Sequence, residues 1–245
     1  MKSCNVVPLI ISLGIMPLPS VAAAETVYLL ADFNEKAIDQ AIGTGGASAG
    51  EPVSIDDGVV ATVRQEPMET PSLEIQDAQP GKGFVRFELV GSTEVTSGMV
   101  YIAADLWFDS LVEGAECNIL IREQGGEDTR FAELGFEDNG DIYLHYGQDS
   151  SAGVIGQTII GRVLRVIFAF DMDAGTFGVW LDGTQVVSGL EHGIEDRGVG
   201  SVAIGCGYDD DSEGSYNVDA IEVTDFLRIV PCETDTWGRI KARFR

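Results

Sequence analysis

The chain has 245 residues, with 40 Asp+Glu against 15 Lys+Arg and a formal net charge of −25. A surface this acidic repels nucleic acid and anionic lipid, which argues against a nucleic-acid-binding role. It favours solubility, and its carboxylates suit hard cations such as Ca2+.

Residues 1–24 read as a secretory signal: Lys2, an apolar run over residues 6–18, then Ala22 and Ala24 in an A-x-A pattern ahead of Glu25. The run is too short for a membrane anchor and is interrupted by Pro8 and Pro17, and Cys4 precedes it, unlike a lipoprotein cysteine. A secreted, periplasmic or cell-surface protein without a transmembrane span is expected. The remaining stretch of about 220 residues suits one all-β domain or two small ones. Its three cysteines, Cys117, Cys206 and Cys232, permit one bridge, and the sequence does not say which.

From residue 25 onward the pattern is short alternating runs: "TVYLLADF", "GFVRFELV", "SGMVYIAADLWF", "CNILIREQ", "RFAELGFE", "DIYLHYG", "RVLRVIFAFDMD", "TFGVWLDG", "SVAIGCGY" and "YNVDAIEV". Each reads as a strand. Asp138-Asn139-Gly140 and Asp182-Gly183 are hairpin signals. The Gly-rich residues 43–52 lack the G-K-[ST] ending of a phosphate loop and read as a tight loop. Many short strands with no long amphipathic helix predict an antiparallel sandwich or barrel.

The stretch "FAFDMDAGTFGVWLDGTQV", an apolar strand, a D-x-D-x-G-T turn and an aromatic strand ending in Asp-Gly, resembles the concanavalin A-like jelly rolls, the superfamily of laminin-G-like and legume-lectin domains. "VGSVAIG" and "GSYNVDAIEVTDF" resemble their closing strands. The resemblance covers residues 25–228. It implies an all-β antiparallel jelly-roll sandwich, a last strand lying beside the first, and a concave face that often binds sugar. It also implies a structural Ca2+ between first and last strands, held here by Asp32 or Glu35 and by Asp219. The acidic run "YDDDSEG", with Asp209, Asp210, Asp211 and Glu213, offers a second set of oxygen donors or simply a solvated loop.

Alternation assigns side chains to faces. Val100, Ile102, Ala104, Leu106 and Phe108 form one face of their strand, opposite Tyr101, Asp105 and Trp107. Ile142, Leu144 and Tyr146 oppose Tyr143 and His145, and Phe177, Val179 and Leu181 oppose Trp180 and Asp182. The first set of each is core. The second combines rings with polar groups, so Trp107, Tyr143, His145 and Trp180 are candidate ligands for a polysaccharide or glycoconjugate. The competing reading makes both tryptophans ordinary half-buried sheet residues. The laminarinase-type E-x-D-x-x-E motif is absent, and the carboxylates of "ELGFED" and "IEDRG" have the wrong spacing and read as solvated edges. A polysaccharide lyase on this fold would use Arg122, Tyr143 and His145 to neutralise a uronate and move its α-proton. His192, in "LEHGIED", reads as a turn residue with no evident partner.

Residues 229–245 form a spacer and a tail in which Trp237, Ile240 and Phe244 make an apolar stripe flanked by Arg239, Lys241, Arg243 and Arg245. Such a tail suits recognition by a sorting or attachment system, an anionic membrane, or the protein's own acidic body. The sequence therefore reads as a secreted, non-catalytic carbohydrate-binding or surface-interaction domain. A lyase or glycoside hydrolase, and a structural extracellular protein without small ligand, are the alternatives.

Overall fold

A computed structural model describes residues 25–77, 83–111, 117–125, 129–206 and 214–226. Within them the alternating runs become strands, in chain order β1 (Val27–Ala31), β2 (Ser54–Ile55), β3 (Val59–Arg64), β4 (Ser72–Asp77), β5 (Gly83–Glu88), β6 (Met99–Trp107), β7 (Cys117–Arg122) and β8 (Arg130–Phe136). They continue as β9 (Asp141–Tyr146), β10 (Ser150–Gln157), β11 (Val163–Asp171), β12 (Thr176–Leu181), β13 (Thr184–Glu191), β14 (Ser201–Cys206) and β15 (Gly214–Thr224).

They form two antiparallel sheets. One runs β13-β12-β11-β6-β15-β4-β3, with β1 also on β15; the other runs β10-β9-β8-β7-β14-β5-β2. The first strand thus lies beside the last. β15 serves two neighbours on one side because a bulge at residues 219–222, with Ala220 at φ 53°, separates its pairing with β4 from its pairing with β1.

The inner faces interdigitate as a sandwich core. Val100, Ile102, Ala104, Leu106 and Phe108 are all buried, as are Ile142, Leu144, Phe177, Val179 and Leu181. Phe108 stacks on Tyr216 at 5.4 Å and lies 5.0 Å from Phe136, joining the two sheets through aromatic contact. Asp182 (φ 49°) and Gly183 (φ 77°) both adopt left-handed conformations and close the β12–β13 hairpin; Asn139 Oδ1 accepts from the Asp141 backbone at 2.7 Å and closes β8–β9. Residues 43–52 form a loop stitched by Glu51, which accepts from Lys36 Nζ (2.6 Å) and the Gly45 backbone (2.9 Å). Cys117 is buried, and the β7–β14 register sets its Cα opposite that of Cys206.

His192 is not an open turn residue. It is buried, its ring lies 5.1 Å from Phe131 and 6.3 Å from Phe170, and Nδ1 accepts from the Ile194 backbone at 3.2 Å. Burial lowers its pKa, so the ring is neutral. No helix among the described residues is long and apolar enough to cross a membrane. The signal reading of residues 1–24, the acidic run Asp209, Asp210, Asp211 and Glu213, Cys232 and the tail over residues 229–245 lie outside the described residues.

Candidate functional site

The outer face of the seven-stranded sheet carries the polar and aromatic residues that alternation turns away from the core. Its register brings them into rows across the strands. One row reads Phe84 (β5), Gly205 (β14), Asn118 (β7), Gly135 (β8) and Tyr143 (β9). The next reads Arg86, Ala203, Leu120, Glu133 and His145. Ser201 pairs with Arg122, and Arg122 with Arg130, in the third.

Asn118, Arg130, Glu133, Gly135, Glu137, Tyr143 and His145 line a cavity of about 250 Å3 on this face. Asn118 forms its floor between two glycines. A Cβ at Gly135 would stand 3.3 Å from Asn118 Oδ1, and one at Gly205 would stand 2.5 Å from the Phe84 ring, so the missing side chains make room for the amide and the ring. From inside the core, Tyr216 directs its hydroxyl to the backbone carbonyls of Asn118 (3.0 Å) and Gly205 (3.2 Å), bracing that floor. Yet the Asn118 side chain is 0% exposed and both its Oδ1 and Nδ2 lack a hydrogen-bond partner. A buried amide without partners is costly, on the order of 1–3 kcal/mol per group.

The walls are differently charged. Arg130 Nη1 donates to Glu133 Oε2 at 2.5 Å and its other nitrogens reach the Gly147 (3.2 Å) and Gln148 (2.8 Å) carbonyls. Glu133 is 2% exposed, so the carboxylate read from "ELGFED" as a solvated edge is buried: it stands on the sheet face and is held by an ion pair. Tyr143 has its pKa raised by the nearby Glu137, then by burial and Asp141, which keeps the phenol protonated as a donor. On the far side of Asn118, the Arg122 guanidinium lies 5.8 Å over the Phe84 ring.

The structure therefore brings Arg122, Tyr143 and His145 to one face, with Arg122 on the Phe84 side of Asn118 and not among the cavity residues. It separates them from the two tryptophans. Trp107 (β6) and Trp180 (β12) stand on the outer face of the other sheet, where each is half-buried and Trp107 Nε1 donates to Asp109 at 2.8 Å. The four candidate glycan residues do not form one site. Sequence reading missed Asn118, Arg130 and Glu133, because nothing local marks them; the signal is the pair of glycines, Gly135 and Gly205, that register places on either side of Asn118.

The outer face of the eight-stranded sheet buries an ionic cluster. Arg165 Nη1 donates to both oxygens of Asp105 at 3.1 Å, and register sets Asp219 opposite Asp105. Burial lifts the Asp105 pKa to about 6; Arg165 opposes the rise, while Asp219 and Glu222 add to it. Asp219 accepts from the Thr70 hydroxyl (2.6 Å) and the Ala220 backbone (2.7 Å). Asp32 caps the 3-10 turn Phe33–Glu35 by accepting from the Asn34 backbone at 2.9 Å. Among the described residues no group of three or more His, Cys, Asp or Glu side chains is arranged to hold a metal ion.

No family model and no curated protein matches the chain. Solved structures share its fold. A sialidase superposes with a TM-score of 0.59 at 13% identity over 80% of this chain, which spans 18% of the sialidase. Cellulose induced protein, Cip1, gives 0.59 at 12% identity over 84% of this chain and 100% of its own. A conserved carbohydrate esterase from the Shiga toxin-encoding bacteriophage phi24B gives 0.58 at 12% identity over 82% of this chain and 99% of its own. At these identities the likeness is one of architecture: the chain is an antiparallel β-sandwich of a kind also found in proteins that act on carbohydrates.

Proposed function

We propose that this is an exported glycan-binding protein, and that the groove around Asn118 on the outer face of the seven-stranded sheet is where it holds a polysaccharide or glycoconjugate. The observation that carries the reading is the Asn118 amide: buried, without partners, and lining a cavity walled by Tyr143, His145, Glu133 and Arg130. A sugar hydroxyl pair admitted by rotation of the overlying groove side chains would satisfy both its donor and its acceptor, and the Tyr143 ring offers a face for C–H contact. The fold shared with a carbohydrate esterase and a sialidase supports it by analogy.

Binding without turnover is favoured over hydrolysis. Of the two groove carboxylates, Glu133 is buried in an ion pair with Arg130, which leaves Glu137 without a second free carboxylate to complete a glycosidase pair. It is also favoured over a lyase. Arg130 is already neutralised by Glu133, and Arg122 lies over Phe84 on the far side of Asn118, so a carboxylate it receives stands apart from Tyr143 and His145.

A glycan array followed by calorimetry tests the proposal. Asn118→Leu and Tyr143→Ala weaken binding, whereas Trp107→Ala and Trp180→Ala leave it unchanged. Absence of binding to every glycan refutes the reading. Unsaturated product released from alginate or pectate would replace it with the lyase.

A further inference from the structure

We infer that the glycan held on this face is anionic, its charged group received by Arg122 and Arg86. The inference rests on the glycan-binding reading and adds the chemical class of the sugar.

It comes from where this acidic chain leaves its cations. The described residues hold eight Lys and Arg side chains. Six are engaged by a carboxylate: Lys36 by Glu51, Arg64 by Asp39 and Glu74, Arg130 by Glu133, Arg162 by Asp182, Arg165 by Asp105 and Arg197 by Glu123. The two without an ion pair are Arg86 and Arg122. In a protein with 40 Asp+Glu, unpaired arginines are the exception. Register puts both on the outer face of the same sheet, on the strands that flank β14. In each, Nε is buried and has no hydrogen-bond partner. The Arg122 guanidinium is already placed, lying over Phe84, two residues along the strand face from Arg86.

Donors held buried and unmatched beside an equally unmatched amide, Asn118, call for an acceptor from outside. Neutral hydroxyls suit Asn118 and the Tyr143 side of the groove. A planar guanidinium whose terminal nitrogens are not engaged by a carboxylate suits a carboxylate or sulfate, which takes two donors at once. The groove is thereby divided: hydroxyl-binding groups Tyr143, His145 and Glu137 on the β8–β9 side, and anion-binding arginines on the β5–β7 side. The net charge of −25 does not forbid a polyanion, because at physiological ionic strength exposed charges more than about 8 Å away are largely screened.

The test compares oligogalacturonate, its methyl ester, a sulfated galactan oligosaccharide and a cello-oligosaccharide by calorimetry on the full chain. An anionic probe binds at least tenfold more tightly than the methyl ester and the cello-oligosaccharide, and Arg122→Gln or Arg86→Gln removes tenfold or more of that preference with the melting curve unchanged. The galacturonate and sulfated arms decide between carboxylate and sulfate. Equal affinity for the acid and its ester, with both lost in Asn118→Leu, overturns the anionic inference and leaves the glycan reading intact. No binding in any arm overturns both.

Discussion

Asn118→Leu separates function from stability at one residue. The wild-type side chain is 0% exposed and leaves both amide atoms unpaired, while leucine has nearly the same shape and no polar atoms. Each unmade hydrogen bond of a buried group costs on the order of 1–3 kcal/mol, and replacing it with an apolar isostere is neutral or stabilising. Fitting leucine into a space shaped for the amide takes back part of that gain. The expected change on Asn118→Leu therefore runs from zero to a gain of about 3 kcal/mol. At roughly 2–4 °C per kcal/mol for a domain of this size, Tm stays level or rises by up to about 12 °C. Calorimetric melting of the unliganded protein reads this, and titration on the same samples reads a loss of glycan affinity of about tenfold or more. A Tm several degrees below wild type would refute the reasoning, since it would make the amide a structural partner and not a waiting ligand.

Other perturbations probe the frame around the groove. Arg165→Met leaves Asp105 buried without its guanidinium and costs about 3–5 kcal/mol at neutral pH by thermal melting. Because the folded Asp105 pKa is raised to about 6, the folded state holds the proton more tightly than the unfolded chain, so wild-type stability falls as pH rises from about 4 to 6. Removing Arg165 raises that pKa further, so the penalty shrinks towards pH 4; a pH-independent loss would argue against it. His192 has the opposite sign. Its folded pKa is lowered by burial, so stability is lost as pH falls below about 6.5, and His192→Phe flattens that part of the melting-versus-pH curve. Tyr216→Phe removes the hydroxyl that reaches the Asn118 and Gly205 carbonyls, costs about 1–2 kcal/mol in denaturant melts, and lowers glycan affinity with it. If Asp32 and Asp219 share a structural Ca2+, chelator lowers Tm, by about 2.7 kcal/mol of stability at a hundredfold excess of ion over Kd; superimposable curves remove the ion from the account.

The sandwich was legible because its central strands alternate strictly: β6, β9 and β12 turned their apolar residues inward as their patterns dictate. The strands that escaped reading have physical reasons to. β10 (Ser150–Gln157) and β13 (Thr184–Glu191) are edge strands, largely exposed and broken by bulges, so period-two patterning has nothing to enforce it. β2 has two residues, and β4 alternates Leu73 and Ile75 with Glu74 and Gln76 in a stretch rich in turn formers. Face assignment correctly turned Tyr143, His145, Trp107 and Trp180 outward. It could not say which sheet each belonged to, since that depends on pairing between strands far apart in the chain. The buried charge of Asp105 and the floor position of Asn118 were hidden for the same reason: Arg165 lies 60 residues from Asp105, and Gly205 lies 87 residues from Asn118.

The central claim is that glycan binds the outer face of the seven-stranded sheet, and amide chemical-shift mapping during titration with a bound oligosaccharide tests it most directly. The account predicts saturable shifts at Asn118, Gly135, Tyr143 and Gly205, with Trp107 and Trp180 undisturbed. Shifts confined to Trp107, Trp180 and their neighbours on the eight-stranded sheet would contradict it.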